Sequence, residues 1–185
     1  VQEHPLIELY INTGDAQQNT IVEQQLTGVD LDRVVLRTLQ EVGITQQVML
    51  TLLITDDEDI REMNMQYRQQ NKPTDVLSFP LLEQPLVNAP AEQLWTPQES
   101  ENSQPGIPAF VTPPGMVTNL GDVVMSWPTL VRQATEAGHP PIYELLYLLS
   151  HGVLHLVGYD DQSEAGYQKM VHIQNTVLTA LGHHA

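Results

Sequence analysis

The chain predicts an α+β fold, a small mixed four-stranded sheet packed with about five helices. Three observations predict it. Short apolar runs at 6–12, 48–55, 74–79 and 119–126 are bounded by turn residues, as strands are. Helical periodicity fills much of the chain between them and the whole C-terminal stretch. The 185 residues, 41% of them hydrophobic, suit one domain with a real core.

The elements follow in order. Residues 6–12 read as a strand that stops near Gly14. Asp30 opens a helix to about Val42, with Leu31, Val34, Val35 and Leu39 as its buried stripe and Gly43 as its stop. The unbroken apolar run 48–55 predicts a strand in the middle of the sheet. Asp56, Asp57, Glu58 and Asp59 place negative charge where the next helix dipole favours it. That helix is expected to bury Ile60, Met63 and Tyr67 and to turn Arg61 and Arg68 outward. Asn71-Lys72-Pro73 ends it, because a residue before proline avoids helical backbone. Residues 74–79 form a third strand, closed by Pro80.

Composition changes from about 83 to 118. Residues 82–118 hold seven of the 13 prolines, among many Gln, Glu and Asn. We expect a surface insertion in the single domain 1–185, with little regular structure and dispensable for folding. Order returns with the strand 119–126 and a helix over 129–137. Pro141 suits the first position of a longer helix. From Ile142 to Val157 that helix is apolar nearly all round, which places it centrally and buried. A last amphipathic helix from Ser163 to Leu181 carries Tyr167, Met170, Val171, Gln174, Val177, Leu178 and Leu181 on its inner face.

Seven Lys+Arg against 23 Asp+Glu give a net charge of −16. A protein this acidic does not attract nucleic acid through its overall field; any such contact needs a local basic patch. The absence of cysteine excludes disulfides, thiolate nucleophiles and cysteine-based zinc sites. No stretch reaches the roughly 18 apolar residues of a membrane span. The expectation is a soluble, cytoplasmic protein without a membrane partner.

Within the apolar helix, His151 and His155 stand four apart, so two imidazoles share one face. Gly158 ends the helix, and Asp160 and Asp161 follow. Two histidines and an acid after a glycine turn offer three ligands with a fourth position open, the pattern of a catalytic zinc site. The competing reading makes the pair core histidines satisfied by backbone. Asp161 has a rival role too: Asp161-x-x-Glu164 matches a capping box for the last helix. Gly152 follows His151 where H-E-x-x-H proteases keep their general base, so peptide hydrolysis by that route is disfavoured. The glycine is expected to leave room for substrate.

The run His151-Gly152-Val153-Leu154-His155-Leu156-Val157-Gly158-Tyr159-Asp160-Asp161 resembles the H-G-x-L-H-L-x-G-Y-D-H signature of the YbeY family, single-strand-specific endoribonucleases of rRNA maturation. Asn71 to Pro80 and Leu120 to Ser126 resemble two further family blocks in the same order. The resemblance implies one Zn²⁺ per chain on a central metal-binding helix, held by His151, His155 and Asp161. It implies action on RNA, with 16S rRNA 3′-end maturation and small-subunit quality control as its setting. Ribosomal RNA and the small ribosomal subunit are then the partners, and DNA is not. The family's third ligand is commonly His; Asp161 makes the ligand set more negative and a bound water less acidic. Arg68 matches the family's arginine and would stabilise charge on phosphate; its alternative is a solvated helix face. Arg61 and Lys72 could extend a basic lip. Tyr159 could stack on a base or pack beneath the turn. Two other functions stay open: a ribosome-biogenesis binding factor with a mainly structural zinc, and a metal hydrolase on another substrate.

Overall fold

The structure, a computed structural model, describes residues 6–97 and 116–183. The four strands β1 (Ile7–Ile11), β2 (Val48–Thr55), β3 (Val76–Pro80) and β4 (Thr118–Ser126) lie in the order β1-β2-β4-β3. β1 and β4 run parallel to β2, and β3 pairs antiparallel with β4 at the edge. The sheet is therefore mixed and four-stranded, as expected, with the apolar β2 inside it. Leu50, Leu52 and Ile54 of β2 have no exposed surface.

The described residues hold six α-helices: α1 (Ala16–Leu26), α2 (Leu31–Glu41), α3 (Asp57–Arg68), α4 (Trp127–Ala137), α5 (Pro141–Val157) and α6 (Glu164–Ala180). The expected five lacked α1. Its sequence is mostly polar and buries only Val22 and Leu26, so its periodicity is thin. It forms because Asp15 caps it, accepting a hydrogen bond from the Gln17 N–H, and because those two residues reach the core.

The main core joins β1, β2 and β4 to α2, α5 and α6. The opposite side of the sheet carries a smaller cluster, in which Ile60 of α3 meets Leu77 and Val124. Here one expectation fails. Tyr67 of α3 is 61% exposed and touches Phe79 edge-on. Asn64 takes the inward place instead, its amide donating to the Lys72 carbonyl at 2.9 Å. Asn64 stands one turn past Ile60, and its amide ties the second half of α3 to the chain that leads into β3.

α5 is central, with ten of its 17 residues buried. Gly152 explains its close approach to the sheet. A Cβ there would meet the Val123 methyls at 2.8 and 2.9 Å. The glycine makes room for β4, not for substrate as the sequence suggested.

The segment 81–97 departs from the expected dispensable insertion. Val87 is buried in the main core. The Leu86 and Val87 N–H groups donate to the Val157 carbonyl, and the Trp95 N–H to the Gly158 carbonyl. The Trp95 indole N–H donates to the His155 carbonyl at 2.7 Å. These donors meet the carbonyls at the end of α5, where the helix's own N–H partners run out. The segment includes one short 3-10 turn, Ala91–Gln93, and Leu94 bridges to Tyr159. The rest of the expected insertion, 98–115, lies outside the described residues. No helix among those described is long and apolar enough to cross a membrane.

Candidate active site

One stripe of α5 stays open. Glu144, Tyr147, His151 and His155 lie along it at helical spacing and line a cleft of about 290 Å³. α3 ends in an αL turn at Gln69, which leaves Arg68 at the cleft wall. β3 and its lead-in contribute Thr74, Asp75 and Ser78, and α6 contributes Tyr167, Val171 and Gln174. Asp161 enters from the turn after α5. Gly158 makes that turn possible: its φ of +141° suits glycine, and a Cβ would lie 2.6 Å from Pro85.

Asp161 does not cap α6. Ser163 does, its Oγ accepting from the Gly166 N–H at 3.0 Å. The nearby Asp160 carboxylate accepts from the Gln162 N–H. Asp161 is thereby left to face the cleft, with Oδ2 3.5 Å from His151 Nε2. That distance marks a charge contact more than a well-made hydrogen bond. The His151 side chain holds the Asp161 carboxyl down to about 2, against the upward push of burial. Asp161 is thus a carboxylate at any physiological pH. Burial lowers the pKa of His155, with Asp161 acting against it, which favours the neutral imidazole.

Sequence reasoning placed Gln174 on an apolar stripe and missed its role. Gln174 is 1% exposed. Its Nε2 donates to the Tyr147 carbonyl at 3.1 Å, which fixes the amide orientation. Oε1 then faces His151 Nδ1 at 3.5 Å. A carbonyl-type oxygen there favours the proton on Nδ1, leaving Nε2 to meet Asp161. A bare lone pair facing a carboxylate repels it. The pair is favourable only when a proton or a cation stands between them.

Donor chemistry therefore fits a divalent ion, because one carboxylate and two imidazoles are what zinc accepts without cysteine. A formed cluster is another matter. Among the described residues no three His, Asp or Glu side chains stand in an arrangement able to hold a metal. The expected ready-made metal centre on α5 is absent in that sense, since Asp161 leans on His151 and shares no common centre with both imidazoles.

The cleft thus brings Arg68, His151, His155 and Asp161 together. Arg61, Lys72 and Tyr159 are not among its lining residues. Arg61 donates to Asn71 Oδ1 at 2.7 Å and pairs with Glu58. Lys72 is exposed. Tyr159 is 4% exposed, packed beneath the turn. Ser126, the end of β4, donates to Asp57 at 2.6 Å outside the cleft.

Comparison with known proteins gives a consistent picture. A family model described as "Endoribonuclease YbeY" matches residues 12–182. A protein of that name from Dehalococcoides mccartyi is 38% identical over 80% of this chain and 83% of its own length. One from Moorella thermoacetica is 37% identical over 82% and 85%. Another from Roseiflexus castenholzii is 35% identical over 88% and 90%.

Proposed function

The chain belongs to the endoribonuclease YbeY family, and from that premise we propose that it hydrolyses single-stranded RNA with one zinc ion held by His151, His155 and Asp161. The observation that carries this reading is the meeting of those three donors and Arg68 in one cleft. Zinc, when bound, supplies a Lewis acid and activates water at neutral pH.

The protein's own residues do the rest. Gln174 sets a carbonyl-type oxygen 3.5 Å from His151 Nδ1, which favours Nε2 as the donor atom. Ser163 caps α6 and leaves Asp161 to complete the donor set. Arg68 can grip two oxygens of the scissile phosphate and stabilise the charge that builds on them. His151, His155 and Asp161 would hold the ion, while Arg68 on α3, close enough to bear on both His155 and Asp161, would hold the phosphate. The biological setting we propose is maturation of the 16S rRNA 3′ end and small-subunit quality control, with the small ribosomal subunit as partner.

Metal analysis of the purified protein should find about one zinc per chain, and chelation should abolish RNA cleavage while far-UV circular dichroism persists. Arg68→Ala should retain zinc and fold but lower cleavage about ten- to a thousandfold, the scale for losing one transition-state donor. A zinc-free protein that cuts RNA as fast would overturn the metal reading. Unchanged turnover in Arg68→Ala would remove Arg68 from the mechanism. RNA binding with zinc but no cleavage would point to the binding-factor alternative.

A further inference from the structure

An RNA-binding cleft on this protein faces an electrostatic problem. The chain carries a net charge of −16. Among the described residues lining the cleft, Arg68 is the single Lys or Arg, against the carboxylates of Asp75, Glu144 and Asp161. Arg61 is engaged by Asn71 and Glu58, and Arg132 by Asp57 at 2.8 Å. Phosphate contacts alone therefore offer little hold on a polyanion. Affinity must come from a contact that works without charge.

The cleft contains one. Tyr167 lies in the second turn of α6 and lines the cleft, yet half of its surface, 50%, stays open. Val171 and Gln174 continue the same face of α6. Across from it, Tyr147 of α5 lines the cleft while half-buried, close enough that burial and the neighbouring Tyr167 both raise its pKa. An aromatic side chain left half open inside a cleft that also holds a guanidinium matches a nucleotide: a planar base next to its phosphate. Base stacking on aromatic rings is insensitive to net charge and requires an unpaired base.

Resting on the ribonuclease reading above, we propose that Tyr167 forms a base-stacking subsite, with Tyr147 behind it, that binds one unpaired nucleobase of the RNA while Arg68 holds a phosphate. Tyr167 is a binding residue, outside the metal donor set. It makes the selection of single strands a property of the cleft: a base inside a duplex has no free face to offer.

The test uses the full chain and a labelled single-stranded RNA oligonucleotide. Binding is followed by fluorescence anisotropy with the metal chelated, and cleavage is measured with zinc restored. Tyr167→Ala should weaken binding about ten- to a hundredfold, the range for losing one stacked base. Its KM should rise by a similar factor while kcat changes little. Tyr167→Phe and Tyr167→Trp should bind like wild type, which excludes a role for the hydroxyl. The salt dependence of wild type and Tyr167→Ala should be equally shallow, with a slope near that of one or two phosphate contacts at about −0.7 each. Duplex RNA should compete poorly against wild type. An intact wild-type ribonuclease whose Tyr167→Ala variant shows the same Kd and KM overturns the subsite and leaves the ribonuclease reading in place. A steep salt slope unchanged by Tyr167 overturns it too. A wild-type protein that neither binds nor cuts RNA overturns both.

Discussion

Asp161 shows how a single residue's role is decided by its neighbours. Sequence spacing left it between capping a helix and binding a metal, because Asp-x-x-Glu and a third-ligand acid look alike. The structure gives the cap to Ser163, two residues on, whose hydroxyl reaches the Gly166 N–H. The two roles should therefore separate by mutation. Ser163→Ala should cost about 1 kcal/mol of stability and leave zinc affinity intact. Asp161→Asn should lose zinc affinity by orders of magnitude while the Ser163 cap of α6 stays in place. Gln174→Leu belongs to the same series. Losing the oxygen at His151 Nδ1 should weaken zinc binding about ten- to a hundredfold, while Gln174→Glu should retain it. Chelator competition measures all four variants, and equal zinc affinity across the series would return His151 and Asp161 to an ordinary ion pair. That His151 and His155 face one cleft was legible in the sequence, because helical spacing makes their alignment a local matter; that Asp161 joins them depends on the turn at Gly158, which spacing left undecided. Gln174 was not legible, since its partners are a backbone carbonyl and an imidazole 27 and 23 residues away. Its one sequence signal is a polar side chain on an otherwise apolar stripe.

Among the elements, those with a strong local period were legible. β2 appears at the residues its apolar run predicted; α2 starts beside the predicted opening residue Asp30, α3 starts within the acidic run 56–59, and α6 starts beside Ser163 as expected, although the spacing offered Asp161 as its cap. α1 was hidden because only two of its residues turn inward. The contacts of segment 81–97 were hidden for a related reason: they rest on backbone donors, one indole and the single buried Val87, which together show no hydrophobic period. Those contacts predict an effect. Trp95→Phe keeps a ring but removes the N–H that meets the His155 carbonyl, and should cost about 1 kcal/mol. Because the bond ends on the turn of α5 that carries His155, the same variant should also loosen zinc. Thermal unfolding and chelator competition read the two effects. A Trp95→Phe protein with wild-type stability would restore the segment to the status of a passive loop.

The whole molecule is shaped by an excess of negative charge. Three of its seven basic side chains, Arg37, Arg61 and Arg132, sit in surface ion pairs with Glu41, Glu58 and Asp57. Such pairs contribute little each, roughly 0–1 kcal/mol, and they leave the surplus of carboxylates unmatched. Folding gathers those charges on one compact surface, while the unfolded chain spreads them apart, so self-repulsion works against the native state. Salt should relieve it. Between about 0.01 and 0.15 M the screening length falls from roughly 30 to 8 Å, shorter than a domain is wide. Adding neutral salt over that range should therefore raise the midpoint of thermal unfolding by about 2–4 °C, equivalent to about 1 kcal/mol for a chain of this size. The sign is the decisive part, because a fold held mainly by surface ion pairs would instead lose stability as salt screens them. Differential scanning calorimetry on the metal-free protein gives the answer without interference from zinc. A midpoint that falls with salt would mean that the few pairs formed by Arg37, Arg61 and Arg132 outweigh the net charge.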